Sequence, residues 1–120
     1  MLKSPENLGI IHFIGIGGSG MSGSAEILFQ SGYHVQGSDL KQSNNTNRLE
    51  KLGIKVYIGQ KKSNIIDAKI IVVSTAISEK NEEFVAAKKM FLPIVHRSEM
   101  LGELMRLKQS IAIAGTHGKT

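Results

Sequence analysis

Short apolar runs alternate with stretches of helical periodicity along this sequence, and this alternation is what most narrows the possible folds. Nearly continuous apolar runs, such as Ile10-Ile11-His12-Phe13-Ile14, are typical of strands that are covered on both faces. Strands are predicted at residues 10–14, 33–37, 54–57, 69–73, 94–95 and 110–114. The order predicts an α/β fold: a Rossmann-like parallel sheet of about five strands with helices on both faces.

Helices are predicted between these strands from apolar periodicity and capping residues. Their apolar sides are Met21, Ala25, Leu28 and Phe29; Leu49 and Leu52; Phe84, Ala87, Met90 and Phe91; and Leu101, Leu104 and Met105. Capping oxygens are expected from residues 44–46, from Asn81 and from Ser98, and C-terminal glycines at Gly32 and Gly53. Loops that follow parallel strands meet at one edge of the sheet, where ligands bind.

Composition excludes several classes of protein. The 120 residues are 41% hydrophobic, contain no cysteine and show neither a secretory signal nor an apolar run near the roughly 20 residues that span a bilayer. A cytoplasmic protein without a membrane partner is expected. The net charge of +5 comes from scattered lysines with few aromatic residues between them, so no nucleic-acid partner is expected.

The run Gly15-Ile16-Gly17-Gly18-Ser19-Gly20 matches the pattern G-x-G-x-x-G between a predicted strand and a predicted helix. In that context the glycines allow a tight turn, close approach of the backbone to a pyrophosphate and close packing of helix on strand. Asp39 lies 19 residues past Gly20, where a carboxylate often accepts from a ribose hydroxyl. The alternatives are a tight turn without a ligand, and an Asp39 that only caps a turn beside Ser38.

The last residues, Gly115-Thr116-His117-Gly118-Lys119-Thr120, form a second candidate phosphate loop after the strand predicted at 110–114. Backbone N–H groups, Lys119 and the Thr120 hydroxyl would hold phosphates and Mg²⁺. Ile113 stands where the general pattern requires glycine, and an exposed tail is the alternative. A simple dehydrogenase has no use for two phosphate loops. We therefore expect a domain for one nucleotide-linked ligand, followed by the start of an ATP-using domain.

Four segments together, residues 12–23, 37–40, 97–101 and 115–120, resemble the Mur ligase family in order and spacing across essentially the whole chain. The resemblance implies a UDP-sugar-binding domain at residues 1–107, and the first strand and phosphate loop of a central ATPase domain at 108–120. It implies an ATP- and Mg²⁺-dependent enzyme that joins L-alanine to UDP-N-acetylmuramate through an acyl phosphate. No catalytic residue is expected within these 120 residues, and the fragment alone is expected to be inactive and to hold no tightly bound cofactor.

The resemblance also implies site residues. The UDP-substrate is expected at Gly15, Ile16, Gly17, Gly18, Ser19, Gly20, Ser38, Asp39, Ser74, Thr75, Ala76, Ile77 and Arg97, and ATP at Gly115, Thr116, His117, Gly118, Lys119 and Thr120, with Mg²⁺ at Thr120. Arg97 is either an anion contact or a partner of Glu99 or Asp67. His12, between apolar residues of a strand, is predicted to be packed rather than to bind a ligand.

Three other functions compete with this hypothesis. One is the family member that recycles murein tripeptide onto UDP-N-acetylmuramate. Another is a nicotinamide-binding module, either an oxidoreductase domain or a redox sensor. The third is an assembly domain whose glycine loop is empty. Stabilisation by a UDP ligand rather than by NAD(H) would favour the UDP-sugar-binding hypothesis over the nicotinamide-binding module and the assembly domain.

Overall fold

The computed structural model of the protein describes residues 8–100 and residue 102. Five strands form one parallel sheet: β1 (Ile10–Ile14), β2 (His34–Asp39), β3 (Lys55–Ile58), β4 (Ala68–Val73) and β5 (Ile94–His96). Their order in the sheet is β3-β2-β1-β4-β5, and every neighbouring pair is parallel. The predicted α/β parallel sheet is confirmed. The strand predicted at 110–114 lies outside the described residues.

Helices cover both faces of the sheet. They are α1 (Ser19–Gln30), α2 (Asn44–Leu52), α3 (Glu82–Lys89) and a single 3-10 turn (Lys62–Ile65) that was not predicted; residues 97–100 are also helical. One core cluster packs Ile11 and Phe13 of β1 against α1, α2 and Met100. The other packs Ile14 and Ile71 against Ala87 of α3 and the 3-10 turn. Side-chain alternation along β1 thus supplies both cores.

The helix ends were predicted partly correctly. Gly32 and Gly53 have φ angles of 96° and 107°, which suits the residue after a helix, as predicted. The α2 cap is Ser43, not residues 44–46: the Ser43 side chain accepts from the Thr46 N–H, and Thr46 accepts from the Ser43 N–H in return. Such a reciprocal capping box satisfies two otherwise unpaired donors, which explains why the helix begins there.

Two further predictions about helices are wrong. Ser98 lies inside the helical residues 97–100, and the N–H of His96 donates to the Glu99 carboxylate at their start. Met90 and Phe91 lie beyond α3 rather than on its apolar side, and Phe91 is 93% exposed with a φ of 56°. Phe91 occupies the left-handed position that ends the helix, where glycine is usual. Leu101, Leu104 and Met105 lie outside the described residues.

The sheet order places a topological switch point at β1. The chain runs outwards from β1 through β2 to β3, and then returns to the other side of β1 for β4 and β5. Loops after β1, β2 and β4 therefore diverge at their carboxyl ends and leave a crevice between them, which is where open α/β sheets bind ligands. Within residues 8–100 and 102, no helix is long and apolar enough to cross a membrane.

Candidate functional site

The glycine loop after β1 is held by the backbone of β2. The N–H groups of Gly15 and Ile16 both donate to the Ser38 carbonyl oxygen, at 2.8 and 2.9 Å. Gly15 has a φ of 81°, which allows the turn, and the Gly18 N–H closes it onto the Gly15 carbonyl at 3.1 Å. Hydrogen bonds within the chain therefore define the shape of the loop.

The start of α1 presents unpaired donors behind this loop. Its N-cap is Gly18, whose carbonyl accepts from the Ser22 N–H at 2.8 Å. The N–H groups of Ser19, Gly20 and Met21 precede this first helical bond, so they have no acceptor within the helix. Together with the helix dipole they make this end of α1 suited to an anion.

Asp39, at the end of β2, clamps the middle of the glycine loop. Its Oδ2 accepts from the Gly17 N–H and its Oδ1 from the Leu40 N–H, each at 2.8 Å. From the other side, the Asn45 side-chain amide donates to the Gly17 carbonyl at 2.9 Å. Asp39 therefore caps the turn after β2, which is one of the two roles predicted for it. Each carboxylate oxygen has a second lone pair, so the ribose contact stays a prediction.

A pocket of about 670 Å³ opens at this edge of the sheet. It is lined by Gly15, Gly17, Gly18, Met21, Asp39, Leu40, Lys41, Gln42, Ser43, Gln60, Ser74, Ala76, Ile77, Ser78 and Asn81. The walls come from the loops after β1, β2, β3 and β4 and from the N-terminus of α3. Its volume falls within the range of about 300–1,000 Å³ that is typical of small-molecule sites.

The structure brings part of the predicted site together here. The predicted residues that line the pocket are Gly15, Gly17, Gly18, Asp39, Ser74, Ala76 and Ile77, whereas Ile16, Ser19, Gly20, Ser38, Thr75 and Arg97 do not. Ile16 and Ser38 are fully buried, and the Ser38 hydroxyl points away from the pocket to Glu83. Burial is incompatible with a ligand contact by the Ser38 side chain; this residue shapes the pocket through its carbonyl oxygen.

Several lining residues were missed by the sequence analysis. Leu40, Lys41, Gln42 and Ser43 directly follow Asp39, and Gln60 follows β3. Their position after strand ends was a usable signal, but no glycine motif or charge pattern marks them. Asn81 was identified only as the cap of α3. It does accept there from the N–H groups of Glu83 and Phe84, while its amide donates to Gln60 Oε1 at 2.7 Å.

Arg97 lies beside the start of α1, near the pocket but not in its wall. A Cβ added to Gly20 would come within 2.9 Å of the Arg97 Cζ, so the guanidinium packs closely on that glycine. Among the residues that the structure describes, no ion pair joins Arg97 to Glu99 or to Asp67, and the anion contact of Arg97 stays a prediction. Within the described ranges, 8–100 and 102, no cluster of three His, Asp or Glu side chains suits a metal ion. The predicted ATP and Mg²⁺ residues 115–120 lie outside those ranges.

Beneath the pocket, His12 and Glu83 form a fully buried pair with 2.8 Å between Nε2 and Oε1. Gln36 Nε2 contacts both His12 Nδ1 and the Asn64 carbonyl, each at 2.8 Å. Because a carbonyl only accepts, the Gln36 atom is the amide nitrogen, His12 Nδ1 is an acceptor, and the proton is on Nε2. His12 is a packed residue, as predicted. Burial raises the Glu83 pKa, but the bonds from His12, Ser38 and Asn64 outweigh it and hold that pKa below its usual value.

The lowered Glu83 pKa predicts a loss of stability in acid. A carboxylate with a depressed folded-state pKa stabilises the fold above its unfolded pKa, about 4.5, and that contribution disappears as the pH falls through the lower folded value. We expect the urea midpoint to fall below about pH 4.5. Carboxyl carbon NMR should show that the pKa of Glu83 lies below the ordinary glutamate value of 4.5. A Glu83 midpoint above 4.5 would contradict the assignment.

A family model and several known proteins are similar to this chain in sequence. A family model described as the Mur ligase family, catalytic domain, matches residues 10–109. The chain is 59% identical over 119 residues to the UDP-N-acetylmuramate–L-alanine ligase of Brucella anthropi, and 61% over 118 residues to that of Roseobacter denitrificans. It spans 99% and 98% of its own length in these matches, and 25% of each relative.

Solved structures give the same picture. The UDP-N-acetylmuramate–alanine ligase of Thermotoga maritima superposes with a TM-score of 0.78 at 33% identity, over 82% of this chain and 23% of that one. The UDP-N-acetylmuramate:L-alanyl-gamma-D-glutamyl-meso-diaminopimelate ligase from Neisseria gives 0.74 at 31% identity, over 80% and 31%. The parallel sheet, the glycine loop at its switch point and a family match over most of the chain agree: this chain belongs to the Mur ligase family.

Proposed function

We propose that the pocket binds UDP-N-acetylmuramate, and that the chain is the N-terminal domain of an ATP-dependent ligase that joins L-alanine to this UDP-sugar. One observation carries the proposal: a pocket of ligand size lies at the switch point, with the glycine loop and Met21 of the first turn of α1 in one wall. The names of the relatives at 59% and 61% identity supply the ligand.

The pocket chemistry suits a nucleoside diphosphate. The N–H groups of Ser19, Gly20 and Met21 would receive the pyrophosphate, while Asp39 repels phosphate and would accept from a ribose hydroxyl. Lys41 adds a positive charge to the wall after β2. The amides of Gln42 and Gln60 carry both donors and acceptors, as the imide edge of uracil requires. Ser74, Ala76 and Ile77 would line the opposite side.

The chain spans about a quarter of the length of the relatives, so the activity of the whole enzyme is proposed for a protein of the relatives' length. We propose that ATP and Mg²⁺ bind at a loop that includes Gly115, Lys119 and Thr120, and that the muramate carboxylate is phosphorylated before L-alanine displaces the phosphate. Mg²⁺ and lysine would stabilise the charge on the transferred phosphoryl group. The isolated chain should bind the UDP-sugar without turning over ATP. We propose that the enzyme acts in the cytoplasm, where nucleotide precursors are available.

The two ligases compared above differ in what they attach to the UDP-sugar, and both keep the same sheet. The relatives at 59% and 61% identity are both L-alanine ligases, which favours L-alanine. The two solved structures, at 33% and 31% identity, do not separate the two ligases. A nicotinamide module is a further rival, because its pyrophosphate would use the same glycine loop.

Thermal denaturation distinguishes these ligands. UDP or UDP-N-acetylmuramate at 100 times its Kd should stabilise the chain by about 2.7 kcal/mol and raise its Tm, since only the folded state offers the pocket. NAD(H) at equal concentration should leave the Tm unchanged. Stabilisation by NAD(H) at lower concentrations than UDP would replace this proposal with a nicotinamide module.

A further inference from the structure

Glu83 does not line the ligand pocket, but its carboxylate contacts elements that carry two of the pocket walls. Its Oε1 accepts from the Ser38 hydroxyl at 2.6 Å and from His12 Nε2 at 2.8 Å. Its Oε2 accepts from Asn64 Nδ2 at 2.7 Å and from the Lys61 N–H at 3.2 Å. The carboxylate, on the first turn of α3, thus connects β1, β2 and the loop after β3.

The four groups that donate to Glu83 require a carboxylate, which has two accepting oxygens, at this position. The Lys61 donor is a backbone N–H and cannot reverse. Asn64 Nδ2 also donates to the Gly59 carbonyl at 2.8 Å, so turning its amide would break that bond. His12 is held with its proton on Nε2 by Gln36. A glutamine at position 83 would place an NH₂ group against one of these donor pairs, leaving buried donors without acceptors.

The link from Glu83 to the glycine loop passes through one residue. Ser38 donates its hydroxyl to Glu83 and offers its carbonyl oxygen to the N–H groups of Gly15 and Ile16. On the other side, Lys61 follows Gln60 of the pocket wall, and Asn81 of the same helix start bonds to Gln60. Movement of the Glu83 carboxylate would therefore displace two walls at once.

We propose that Glu83 is a positioning residue for the ligand pocket: its buried carboxylate holds Ser38, and through the Ser38 carbonyl the glycine loop, in the shape that receives the ligand. The inference rests on the proposed function for the identity of that ligand. The positioning consists of hydrogen bonds within the chain, so it is measurable without any ligand.

The test compares Glu83→Gln with Glu82→Gln, the same chemical change on the exposed neighbour in α3. In the ligand-free chain, hydrogen exchange at the Gly15 and Ile16 amides should be at least about tenfold faster in Glu83→Gln, relative to core amides such as Val72. Titration calorimetry should show UDP binding at least about tenfold weaker. Glu82→Gln should match the wild type in both measurements.

Ser38→Ala covers the case in which Glu83→Gln does not fold, because it removes only the hydroxyl between Glu83 and β2. We expect faster hydrogen exchange at Gly15 and Ile16 and weaker UDP binding in this variant as well. Unchanged exchange at Gly15 and Ile16 in a folded Glu83→Gln or Ser38→Ala chain would overturn the positioning role. Wild-type UDP affinity in both variants would do so too. Failure of the wild-type chain to bind UDP would instead refute the proposed function, and the exchange data would then decide the positioning role alone.

Discussion

Replacement of Gly37 by alanine is expected to lower the free energy of unfolding by about 3 kcal/mol, because the added methyl group overpacks the contact between β1 and β2. A Cβ at Gly37 would lie 2.6 Å from both Cβ and Cδ1 of Ile16 and 2.7 Å from the Phe13 carbonyl oxygen. Phe13 pairs with Gly37 in the sheet, and Ile16 is fully buried and bonded through its N–H to Ser38. Neither neighbour can retreat without breaking the β1–β2 pairing or the glycine loop.

Gly23→Ala is the matched control for this change. Gly23 lies in α1, and a Cβ there meets nothing within 4 Å. Alanine is the better helix former by about 0.5–1 kcal/mol, so this variant should be slightly more stable than the wild type. Urea unfolding followed by circular dichroism measures both variants. Equal stability of Gly37→Ala and the wild type would show that β1 and β2 do not pack as described.

The second large effect is expected on ligand binding. Gly17→Ala would place its Cβ 2.7 Å from Asp39 Oδ2 and 2.9 Å from Thr46 Cγ2, which forces the loop away from the Asp39 carboxylate. Loss of this charged hydrogen bond and of the loop shape should weaken UDP binding about 100-fold. The fold should survive, because the clash lies at the pocket edge, against the side chains of Asp39 at the end of β2 and Thr46 in the first turn of α2. Calorimetric titration with UDP measures the change.

Gly18→Ala provides the comparison on the same loop. Its Cβ would meet the Gly15 carbonyl at 3.5 Å and Met21 at 3.6 Å, both ordinary contacts. Its φ of −61° is one that alanine adopts readily. We expect this variant to keep the ligand-free loop, with amide spectra close to those of the wild type, whereas Gly17→Ala shifts the signals of Asp39 and Leu40. If Gly17→Ala binds UDP with the affinity of the wild type, the ligand does not bind against the glycine loop.

Local patterns in the sequence predicted most of the fold. The apolar run at His12 and Phe13 and the periodicity of Met21, Ala25 and Leu28 report which side chains are buried, and burial depends mainly on residues near in sequence. Gly32 and Gly53 were identified as helix ends because left-handed backbone favours glycine. The same preference failed at Phe91, where the chain must turn into β5 and a side chain adopts that conformation at the surface.

The pocket was predicted less completely, because it depends on which loops meet. Ser38 and Asp39 are adjacent, yet the strand turns their side chains to different surroundings, Ser38 to Glu83 and Asp39 to the Gly17 N–H. No local signal distinguishes them. Gln60 reaches the pocket because the loop after β3 passes the start of α3, where Asn81 holds its amide.

The sequence alone determined the parallel α/β class, the glycine loop between a strand and a helix, and the family resemblance, because each is written in residues close together along the chain. Only the tertiary structure decided how the strands are ordered around β1 and therefore where the pocket opens. It also decided that Glu83, 71 residues from His12, completes a buried pair beneath that pocket. Contacts between residues so far apart in the sequence depend on the order of strands in the sheet. The local pattern of apolar residues does not predict that order.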